Sequence, residues 1–396
     1  MADRPVVIAG AGIGGLTAAI ALARQGIPVA IAEKRTRFEE AGAGIQISPN
    51  AGRVLESLDL GLALRRIAIR PEYLSVTRWS GAPLLTMPFA TAAGATPSRS
   101  LKRADLHQLL LDAARTLPNI RWIIGRGLTQ ARESEAGVTV TLTAESGGVE
   151  TIDAIGLVGA DGLWSRTRVL LGDSAEPAFT GWEAWRTLVP ADRLPQALRR
   201  PAVALHLGQA RHAAHYPVSG GREINLVLIR SASDARPGWS RTGEATQLAG
   251  IAASAGPGLG ELIARAPDWR IWSLYDRAPA HMARGRIALL GDAAHPILPF
   301  LAQGAALAIE DAAVLAHELA RVLAGAGAAG VPAALAAYAA ARAPRAARVQ
   351  QASRKTGRVY HLGLPWSFAR DIAMRRMGPD GMRRRHAWLY DWRAPS

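Results

Sequence analysis

Cysteine is absent from this 396-residue sequence, and its absence excludes several kinds of chemistry. The chain can form no disulfide bond, offers no thiolate nucleophile, and cannot bind zinc or an iron–sulfur cluster through cysteine. Neither HExxH nor a cluster of carboxylates occurs, so we expect no metal site. Any redox chemistry must therefore come from a bound cofactor. The absence also fits a cytoplasmic location without requiring one.

Long uninterrupted apolar runs are lacking as well. A membrane-spanning helix needs about 18 or more consecutive apolar residues. The apolar N-terminal stretch VVIAGAGIGGLTAAIALA is dense in glycine, which such a helix rarely is. We therefore expect neither a signal peptide nor a membrane span. The 49% of hydrophobic residues suffices for a substantial core in one large discontinuous unit or two ordinary domains.

Acidic residues are few relative to basic ones, and the formal net charge is +15. Much of the excess lies near the C-terminus, where residues 341–396 contain thirteen arginines and lysines but only three aspartates. Such a segment could bind nucleic acid or an acidic membrane. No recognisable nucleic-acid module accompanies it, which favours a solvated, arginine-rich terminal helix and tail. We therefore expect no nucleic-acid partner.

The segment PVVIAGAGIGGLTAAIALARQGIPVAIAEKR has the form of a strand, a glycine turn, a helix and a second strand. Gly10, Gly12 and Gly15 form G-x-G-x-x-G, which allows a tight turn, close approach of a pyrophosphate, and close packing of helix on strand. Glu33 ends the second strand, where its carboxylate can accept hydrogen bonds from the ribose hydroxyls of an adenosine. The pattern predicts a dinucleotide site but does not distinguish NAD from FAD.

The middle of the chain has a different texture. GVTVTLTAE alternates with period two and, together with ETIDAIGLVGADG, predicts an antiparallel pair. Short strand candidates then follow between glycine and proline turns, and they favour a mostly antiparallel sheet: WEAWRTLVP, AVALHLG, ARHAAHYPVSGG and EINLVLI. From Ala302 to about residue 360 the sequence is alanine-rich and helical in pattern. The simplest arrangement is an α/β domain that starts at residue 5, is interrupted by a β-rich insertion, and resumes near residue 270.

A second strand end, far down the chain, carries another carboxylate. RIALLGD places Asp292 after a buried strand, and GDAAHPILPF leads into a helix that begins near Gln303 and Gly304. Because Glu33 already serves the adenosine, Asp292 indicates a longer ligand whose other half lies there. A flavin suits this place, because its ribityl hydroxyls can donate to Asp292. Its pyrimidine end becomes negative on reduction, and a helix N-terminus stabilises an anion.

Six stretches together resemble the single-component FAD-dependent aromatic hydroxylases, the group of salicylate, 3-hydroxybenzoate and 6-hydroxynicotinate monooxygenases. They are GAGIGGLTAAIAL with EKR, GAGIQISPNAGRVLESL, KRADLHQLL, GADGLWSRTR, GDAAHPILPFLAQGAALAIEDA and YAAARAPRAARVQQASR. The likeness runs in family order from about residue 5 to 355. It is specific to the superfamily and much less so to the substrate.

The resemblance implies an α/β fold in which a Rossmann-like FAD-binding domain of the glutathione-reductase type is interrupted by a mostly antiparallel substrate domain and followed by C-terminal helices. We place the domains as follows: FAD-binding at residues 1–72, 98–175 and 270–345, substrate at 73–97 and 176–269, and the basic C-terminal helix and tail at 346–396. Several positions match cofactor contacts of the group. For the ADP half and the phosphates they are Gly10, Gly12, Gly15, Glu33, Lys34 and Arg103, and for the flavin half Asp292, Pro299, Gly304 and Ala305. Asp161 matches a motif linked to both FAD and pyridine nucleotide.

In this group NADH or NADPH reduces the flavin, O₂ adds at C4a, and the resulting hydroperoxide transfers one oxygen atom to an electron-rich ring. The protein must then supply a base for the substrate hydroxyl. In RHAAHYPV, strand alternation places His212, Ala214 and Tyr216 on one face. His212 is the predicted base, and Tyr216 and Gln303 are predicted to hydrogen-bond the substrate, as the resemblance implies.

Our leading hypothesis is an FAD-dependent monooxygenase that hydroxylates a small hydroxylated aromatic or heteroaromatic acid, with or without decarboxylation. Arg186 could anchor the carboxylate, although a strand arginine is more often solvent-facing or ion-paired. Two alternatives stay open: a tailoring oxygenase or epoxidase acting on a larger polyketide- or indole-like substrate, and a basic flavoprotein that binds nucleic acid or membrane through its C-terminal arginines. The expected partners are the aromatic acid, O₂ and NADH or NADPH, and the protein is expected to be a monomer or homodimer.

Overall fold

The computed structural model describes residues 4–38, 43–89, 95–234 and 240–395. Gly42, which opens the GAGIQISPN motif, and the outermost residues of the predicted domain ranges, 1 and 396, lie outside the described residues. The strands are β1 Val6–Ala9, β2 Val29–Glu33, β3 Gly44–Ile47, β4 Tyr73–Arg78, β5 Pro83–Pro88, β6 Arg99–Lys102, β7 Ile120–Ile124, β8 Arg126–Ser134, β9 Gly137–Ala144, β10 Val149–Ala154, β11 Gly156–Gly159, β12 Ala178–Pro190, β13 Ala202–Gly208, β14 Arg211–Val218, β15 Glu223–Ser231, β16 Arg241–Gly243, β17 Trp269–Asp276, β18 Ala283–Arg284 and β19 Ile287–Leu289. The helices are α1 Ile13–Arg24, α2 Pro49–Ser57, α3 Gly61–Ile67, α4 Arg103–Arg115, α5 Arg166–Leu170, α6 Ala249–Ala253, α7 Pro257–Ala264, α8 Gly304–Ala326, α9 Val331–Tyr360 and α10 Trp366–Tyr390.

A six-stranded sheet in the order β18-β19-β11-β1-β2-β7 carries the predicted βαβ unit. All of its pairs are parallel except β18 with β19. Helices α1 and α8 cover one face, and the β8–β10 meander covers the other. Because both faces are buried, β1 and most of β2 are uniformly apolar rather than alternating. The prediction of an α/β nucleotide domain is confirmed.

The antiparallel pair expected from GVTVTLTAE and ETIDAIGLVGADG is correct only for the first half of the second segment. Residues Val149–Ala154 pair with β9. Residues Gly156–Gly159 instead enter the six-stranded sheet parallel to β1, and the amide of Ile155 between them donates to the carbonyl of Pro5 at 3.0 Å. The chain changes sheets at this residue because β11 is apolar throughout and is buried on both sides.

An eight-stranded sheet in the order β16-β17-β12-β15-β14-β13-β4-β5 forms the β-rich insertion. Every pair is antiparallel except β13 with β4. The predicted boundary at residue 270 is wrong, because it falls inside β17, which pairs with β12 up to Asp276. Trp269 and Ile271 are buried against Trp185 in the core of this sheet, and this burial keeps β17 in the insertion.

The two faces of this sheet have different partners. On the face that we call the inner face, Ala184, Ile229 and Leu274 pack with Leu298 and Phe300, which precede α8. The outer face packs on α6 and α7. The inner face therefore looks toward the unit that contains the six-stranded sheet.

One helical stretch, Gly304–Tyr360, is long and apolar enough by length and composition to cross a membrane, with an 18-residue window of mean hydropathy 1.6. It consists of α8 and α9, which are separated by the 3-10 turn Gly327–Gly330. Leu319 before the turn, and Val331 and Leu335 after it, lie in the core beneath the six-stranded sheet. Core packing accounts for the apolar character of these positions.

Part of the C-terminal positive charge is neutralised inside the protein. Arg342 forms ion pairs at 2.7 Å with both Glu310 and Asp311, and Arg345 pairs with Glu310 at 2.6 Å. These arginines therefore join α9 to α8, which accounts for part of the charge without a polyanionic partner.

The predicted boundary at residue 345 is also wrong, because it cuts α9 in its middle.

Candidate functional site

The glycine loop between β1 and α1 leaves room for a ligand at one position only. Gly10 has a φ of 106°, and a Cβ on Gly15 would lie 2.0 Å from the carbonyl oxygen of Gly10. At Gly12, by contrast, a Cβ would meet no atom within 4 Å. The first turn of α1 contains no acidic residue and receives no side-chain cap. Its free N–H groups thus border open space, as an anion-binding helix start requires.

Glu33 stands beside this loop, as predicted. Its Oε2 accepts a hydrogen bond from the Ala11 amide, and its Oε1 accepts one from the Arg35 amide, both at 2.9 Å. The carboxylate is half-buried, whereas Lys34 is exposed. Glu33 is therefore fixed at the rim of the loop, where a ribose would lie next to the phosphates.

The first turns of α1 and α8 lie side by side. A Cβ on Gly14 would be 3.1 Å from the Cβ of Ala308, and one on Gly291 would be 3.0 Å from the same atom. Helix α8 begins at Gly304 without a capping side chain or an acidic residue in its first turn, which includes Ala305. The starts of two uncapped helices from distant parts of the chain therefore lie next to each other, and we call the space in front of them the cleft.

Asp292 lies in this cleft with Arg103. The Asp292 side chain is exposed to solvent, yet protein surrounds it, as expected for a residue at the bottom of a concave surface. Desolvation raises the pKa of its carboxyl group, against the positive charges of His295 and Arg103. Burial lowers the pKa of Arg103 to about 10, and the charge of Asp292 opposes that shift. The guanidinium remains charged at neutral pH, so the cleft presents a cation and a carboxylate close together.

A contact between His295 and Asp311 holds the loop between Asp292 and α8. His295 Nε2 lies 2.7 Å from Asp311 Oδ2, and although burial opposes the charged form, the Asp311 carboxylate raises the pKa of this histidine. This contact holds the loop in place against α8. Pro299 opens a 3-10 turn that ends at Ala302, whose φ is 53°.

The Asp161 carboxylate makes hydrogen bonds within its own loop. Its Oδ1 accepts a hydrogen bond from the Ser165 hydroxyl at 2.6 Å, and its Oδ2 accepts from both the amide and the hydroxyl of Thr167 at 3.0 Å. The carboxylate therefore fixes the start of α5. These hydrogen bonds give Asp161 a structural role, and its predicted link to FAD and pyridine nucleotide stays a prediction.

His212 lies on the inner face within a group of rings. Its Nδ1 is 2.7 Å from Nε2 of His361, and His361 stacks on Trp182 with ring centroids 3.9 Å apart. Phe300 and Tyr360 contact the His212 ring edge-to-face. Burial lowers the pKa of His212 well below its usual value, and the nearby His361 adds to the shift. The imidazole is therefore neutral at pH 7.

Tyr216 shares the inner face with His212, as strand alternation predicts. Its ring lies against Gly44 of β3, where a Cβ would be 2.8 Å from Cε2. Burial raises the pKa of the phenol, against the nearby Arg186 charge and a hydrogen bond with Gln46. Tyr216 thus stays protonated and stands where the two units of the chain meet.

Gln303 is held between α2 and the start of α8. Its Oε1 accepts a hydrogen bond from Asn50 Nδ2 at 3.2 Å, and its Nε2 donates to Ser48 Oγ at 3.1 Å. The side chain is 1% exposed. Since both ends of the amide have protein partners, Gln303 joins α2 to the start of α8, and its predicted contact with substrate stays a prediction.

Sequence reasoning missed His361 and Asn225. His361 follows the last residue of α9, 149 positions away from His212. Asn225 lies opposite Tyr216 on β15, and its Oδ1 accepts a hydrogen bond from the Gly44 amide at 2.6 Å. The signal available for Asn225 was a polar residue within the apolar strand EINLVLI. No local pattern marked His361, because its partner is set by the packing of α9 on the sheet.

Comparison with known proteins agrees with this cleft. Residues 3–353 match the family model described as an FAD binding domain. The chain is 36% identical over 414 residues to a 3-amino-4-hydroxybenzoate 2-monooxygenase of Streptomyces platensis, covering 98% of this chain and 96% of the relative. It is 33% identical to a 3-hydroxybenzoate 6-hydroxylase of Klebsiella oxytoca, with 98% and 96% covered. A salicylate hydroxylase in complex with substrate has a similar fold, with a TM-score of 0.81 at 26% identity over 98% of this chain and 96% of that one.

Proposed function

The chain belongs to the FAD-binding-domain family and is an FAD-dependent monooxygenase, and we propose that it hydroxylates a small hydroxylated aromatic or heteroaromatic acid with NADH or NADPH and O₂. One observation carries the proposal: Phe300, which lies between Asp292 and the start of α8, contacts His212 on the inner face that also presents Tyr216. The segment that leads into α8 thereby connects the candidate cofactor site to a proton acceptor. An aromatic acid is favoured because the relatives are named for hydroxybenzoates.

The residues present fit FAD. Open space at Gly12 leaves room for a pyrophosphate at the start of α1, and Glu33 stands beside it for the adenosine ribose. We assign Asp292 to the ribityl chain, Arg103 to the phosphates, and the first turn of α8, with Gly304 and Ala305, to the pyrimidine edge of the flavin. Pro299 would line the ring. When bound, FAD supplies the redox chemistry, taking a hydride from NADH or NADPH and passing one oxygen atom of O₂ to the substrate.

The contribution of His212 follows from its hydrogen bond. One of the two facing nitrogens must carry the proton, and assigning it to Nδ1 of His212 leaves Nε2 of His212 free to accept the proton of a substrate hydroxyl. A deprotonated hydroxyl makes the ring more electron-rich and thus more reactive toward an electrophilic oxygen. Once His212 has accepted that proton at Nε2, it can pass its Nδ1 proton along the hydrogen bond to Nε2 of His361, which is less buried than His212.

The inner face also excludes water from the reaction. Phe300 and Tyr360 close around the His212 ring, and Trp182 covers His361. An apolar enclosure protects the oxidising step from hydrolysis and proton leakage.

The absence of cysteine fits a cytoplasmic enzyme.

A substrate panel tests the proposal. The purified holoprotein should be yellow, and hydroxylated benzoates and pyridine carboxylates should be screened for stimulated consumption of NADH or NADPH. The product should have gained one oxygen atom from ¹⁸O-labelled O₂ in mass spectra, with or without loss of CO₂. A colourless protein that takes up no FAD on reconstitution would refute the cofactor assignment. Stimulation only by large polycyclic or indole compounds would favour the tailoring-oxygenase alternative.

A further inference from the structure

Arg186 is a cation of the inner face without a carboxylate partner among the described residues. Its Nε is buried and makes no hydrogen bond, and its guanidinium lies over the Trp272 ring, 5.1 Å from the centroid. The phenol of Tyr216, which is neutral, lies close enough to interact electrostatically with Arg186. A buried charged group without a hydrogen-bonding partner is costly, so an unpaired donor here needs an explanation.

The opposite face of the same sheet shows how its arginines are otherwise neutralised. Arg230 and Arg241 both pair with Glu183, at 2.7 and 2.6 Å. On the inner face the register places Arg270 directly opposite Arg186. The positive charges of Arg103 and Arg186 also repel each other. Like charges facing each other across strands are destabilising unless an anion joins them. The inner face is therefore built for a negatively charged ligand.

A second unpaired donor lies on the same face. Asn225 is fully buried, and the Gly44 amide fixes its Oδ1 as an acceptor, which leaves Nδ2 without a partner. In the β12–β15 register Arg186 faces Val227, and Asn225 is therefore its diagonal neighbour on the inner face. These two N–H donors lie beside Tyr216, and neither has an acid partner among the described residues, so they call for an acceptor with more than one oxygen.

We infer that Arg186 binds the carboxylate of the aromatic substrate, an inference that rests on the proposed function. A guanidinium presents two parallel N–H groups that match the two oxygens of a carboxylate, and stacking on Trp272 fixes its plane. Val227 on β15 and Ala214 on β14 follow Arg186 across the inner face and form a small apolar floor. The substrate ring lies over this floor, with its acid group at Arg186 and its hydroxyl toward His212.

The test measures ligand binding rather than turnover. Holoenzyme is titrated with 3-hydroxybenzoate and with neutral 3-hydroxybenzamide, and binding is followed through the visible absorbance of the bound flavin. We compare the wild type, Arg186→Gln, Arg186→Lys and the control Arg132→Gln, which removes an exposed charge from β8 in another sheet. Loss of a desolvated charge-assisted pair should weaken binding of the acid by about 30-fold or more in Arg186→Gln. Arg186→Lys should retain part of the affinity, and the amide should bind all four proteins almost equally.

The outcomes separate this inference from the proposed function. If the wild type binds the acid and Arg186→Gln binds it equally well, Arg186 is not the anchor while the hydroxylase assignment stands. If Arg186→Gln loses acid and amide alike, or loses flavin, Arg186 serves the fold or the cofactor and the inference is wrong. If the wild-type holoenzyme binds no hydroxybenzoate, hydroxynicotinate or hydroxypyridine carboxylate, the proposed substrate class itself fails.

Discussion

Nδ1 of His212 lies 2.7 Å from Nε2 of His361, and this contact joins the substrate sheet to the end of α9. The ring of His361 is fixed in turn by stacking on Trp182. His361 is half-buried, whereas His212 is 5% exposed. The pair therefore forms a short path from an enclosed imidazole toward the protein surface, and it defines which nitrogen of His212 is free for the substrate.

Replacing His212 by alanine should remove the base without removing the cofactor. We expect normal FAD content and a drop in coupled hydroxylation of about 10²-fold or more at neutral pH. Activity should partly return above the pKa of the substrate hydroxyl, because the substrate then arrives already deprotonated. Product formation per NADH across pH measures this. Unchanged product yield at pH 7 would eliminate His212 from the mechanism.

Replacing His361 by phenylalanine keeps a ring on Trp182 but removes the proton acceptor. We expect kcat to fall about 10-fold while KM changes little, with recovery at high pH as for His212. His361→Gln, which keeps a hydrogen-bonding group, should lose less. The control is His281→Phe, an exposed position outside the cleft. Equal effects of the phenylalanine and glutamine variants at every pH would show that His361 acts through packing alone.

Substitutions at two glycines of the loop between β1 and α1 should affect different properties, namely FAD binding and stability. Gly12→Val enters open space, so the apoprotein should keep its thermal stability but lose FAD, since the side chain occupies the place of the pyrophosphate. Gly15→Ala drives a Cβ against the Gly10 carbonyl and should destabilise the fold by about 1–3 kcal/mol. Thermal unfolding of apoproteins and the ratio of flavin to protein absorbance measure both effects. Full flavin occupancy in Gly12→Val would contradict the site.

Buried neutral histidines should make the protein acid-labile. Burial lowers the pKa of His206 to about 4 and of His215 to about 3, and their rings contact each other at 3.2 Å. The unfolded chain protonates these histidines below pH 6.5 and the folded chain does not. The contribution of the two neutral histidines to the free energy of unfolding is therefore complete above pH 6.5. It is lost as the pH falls toward 4 for His206 and toward 3 for His215, by about 1.4 kcal/mol per pH unit for each histidine.

Urea unfolding at pH 7.5, 6 and 5 measures this slope. The double variant His206→Gln/His215→Gln should show a shallower fall of the free energy of unfolding between pH 6.5 and 4 than the wild type, whatever its stability at pH 7.5. His295 has the opposite pH dependence, because Asp311 raises its pKa. The stability that protonated His295 contributes to the fold is therefore lost as the pH rises through this raised pKa. A double variant with the wild-type slope would disprove the assignment to His206 and His215.

The sequence by itself determined the features that depend on neighbours along the chain. The spacing from Gly10 to Glu33 predicted the βαβ unit, and alternation in β14 placed His212 and Tyr216 on one face. Both follow from local rules, namely the glycine turn and the period of a strand. The long helical region after Gly304 was readable for the same reason.

Only the tertiary structure decided which groups have partners. It placed His361 within hydrogen-bonding distance of His212, gave both ends of the Gln303 amide protein partners, and hydrogen-bonded the Asp161 carboxylate at the start of α5. It also left Arg186 without an acid partner among the described residues. A polar side chain is satisfied or left free by atoms that lie close in space and far apart in sequence. Local patterns fix the face on which a residue stands, whereas packing between elements fixes what it meets there, and at this site that difference separates structural groups from those that remain for a ligand.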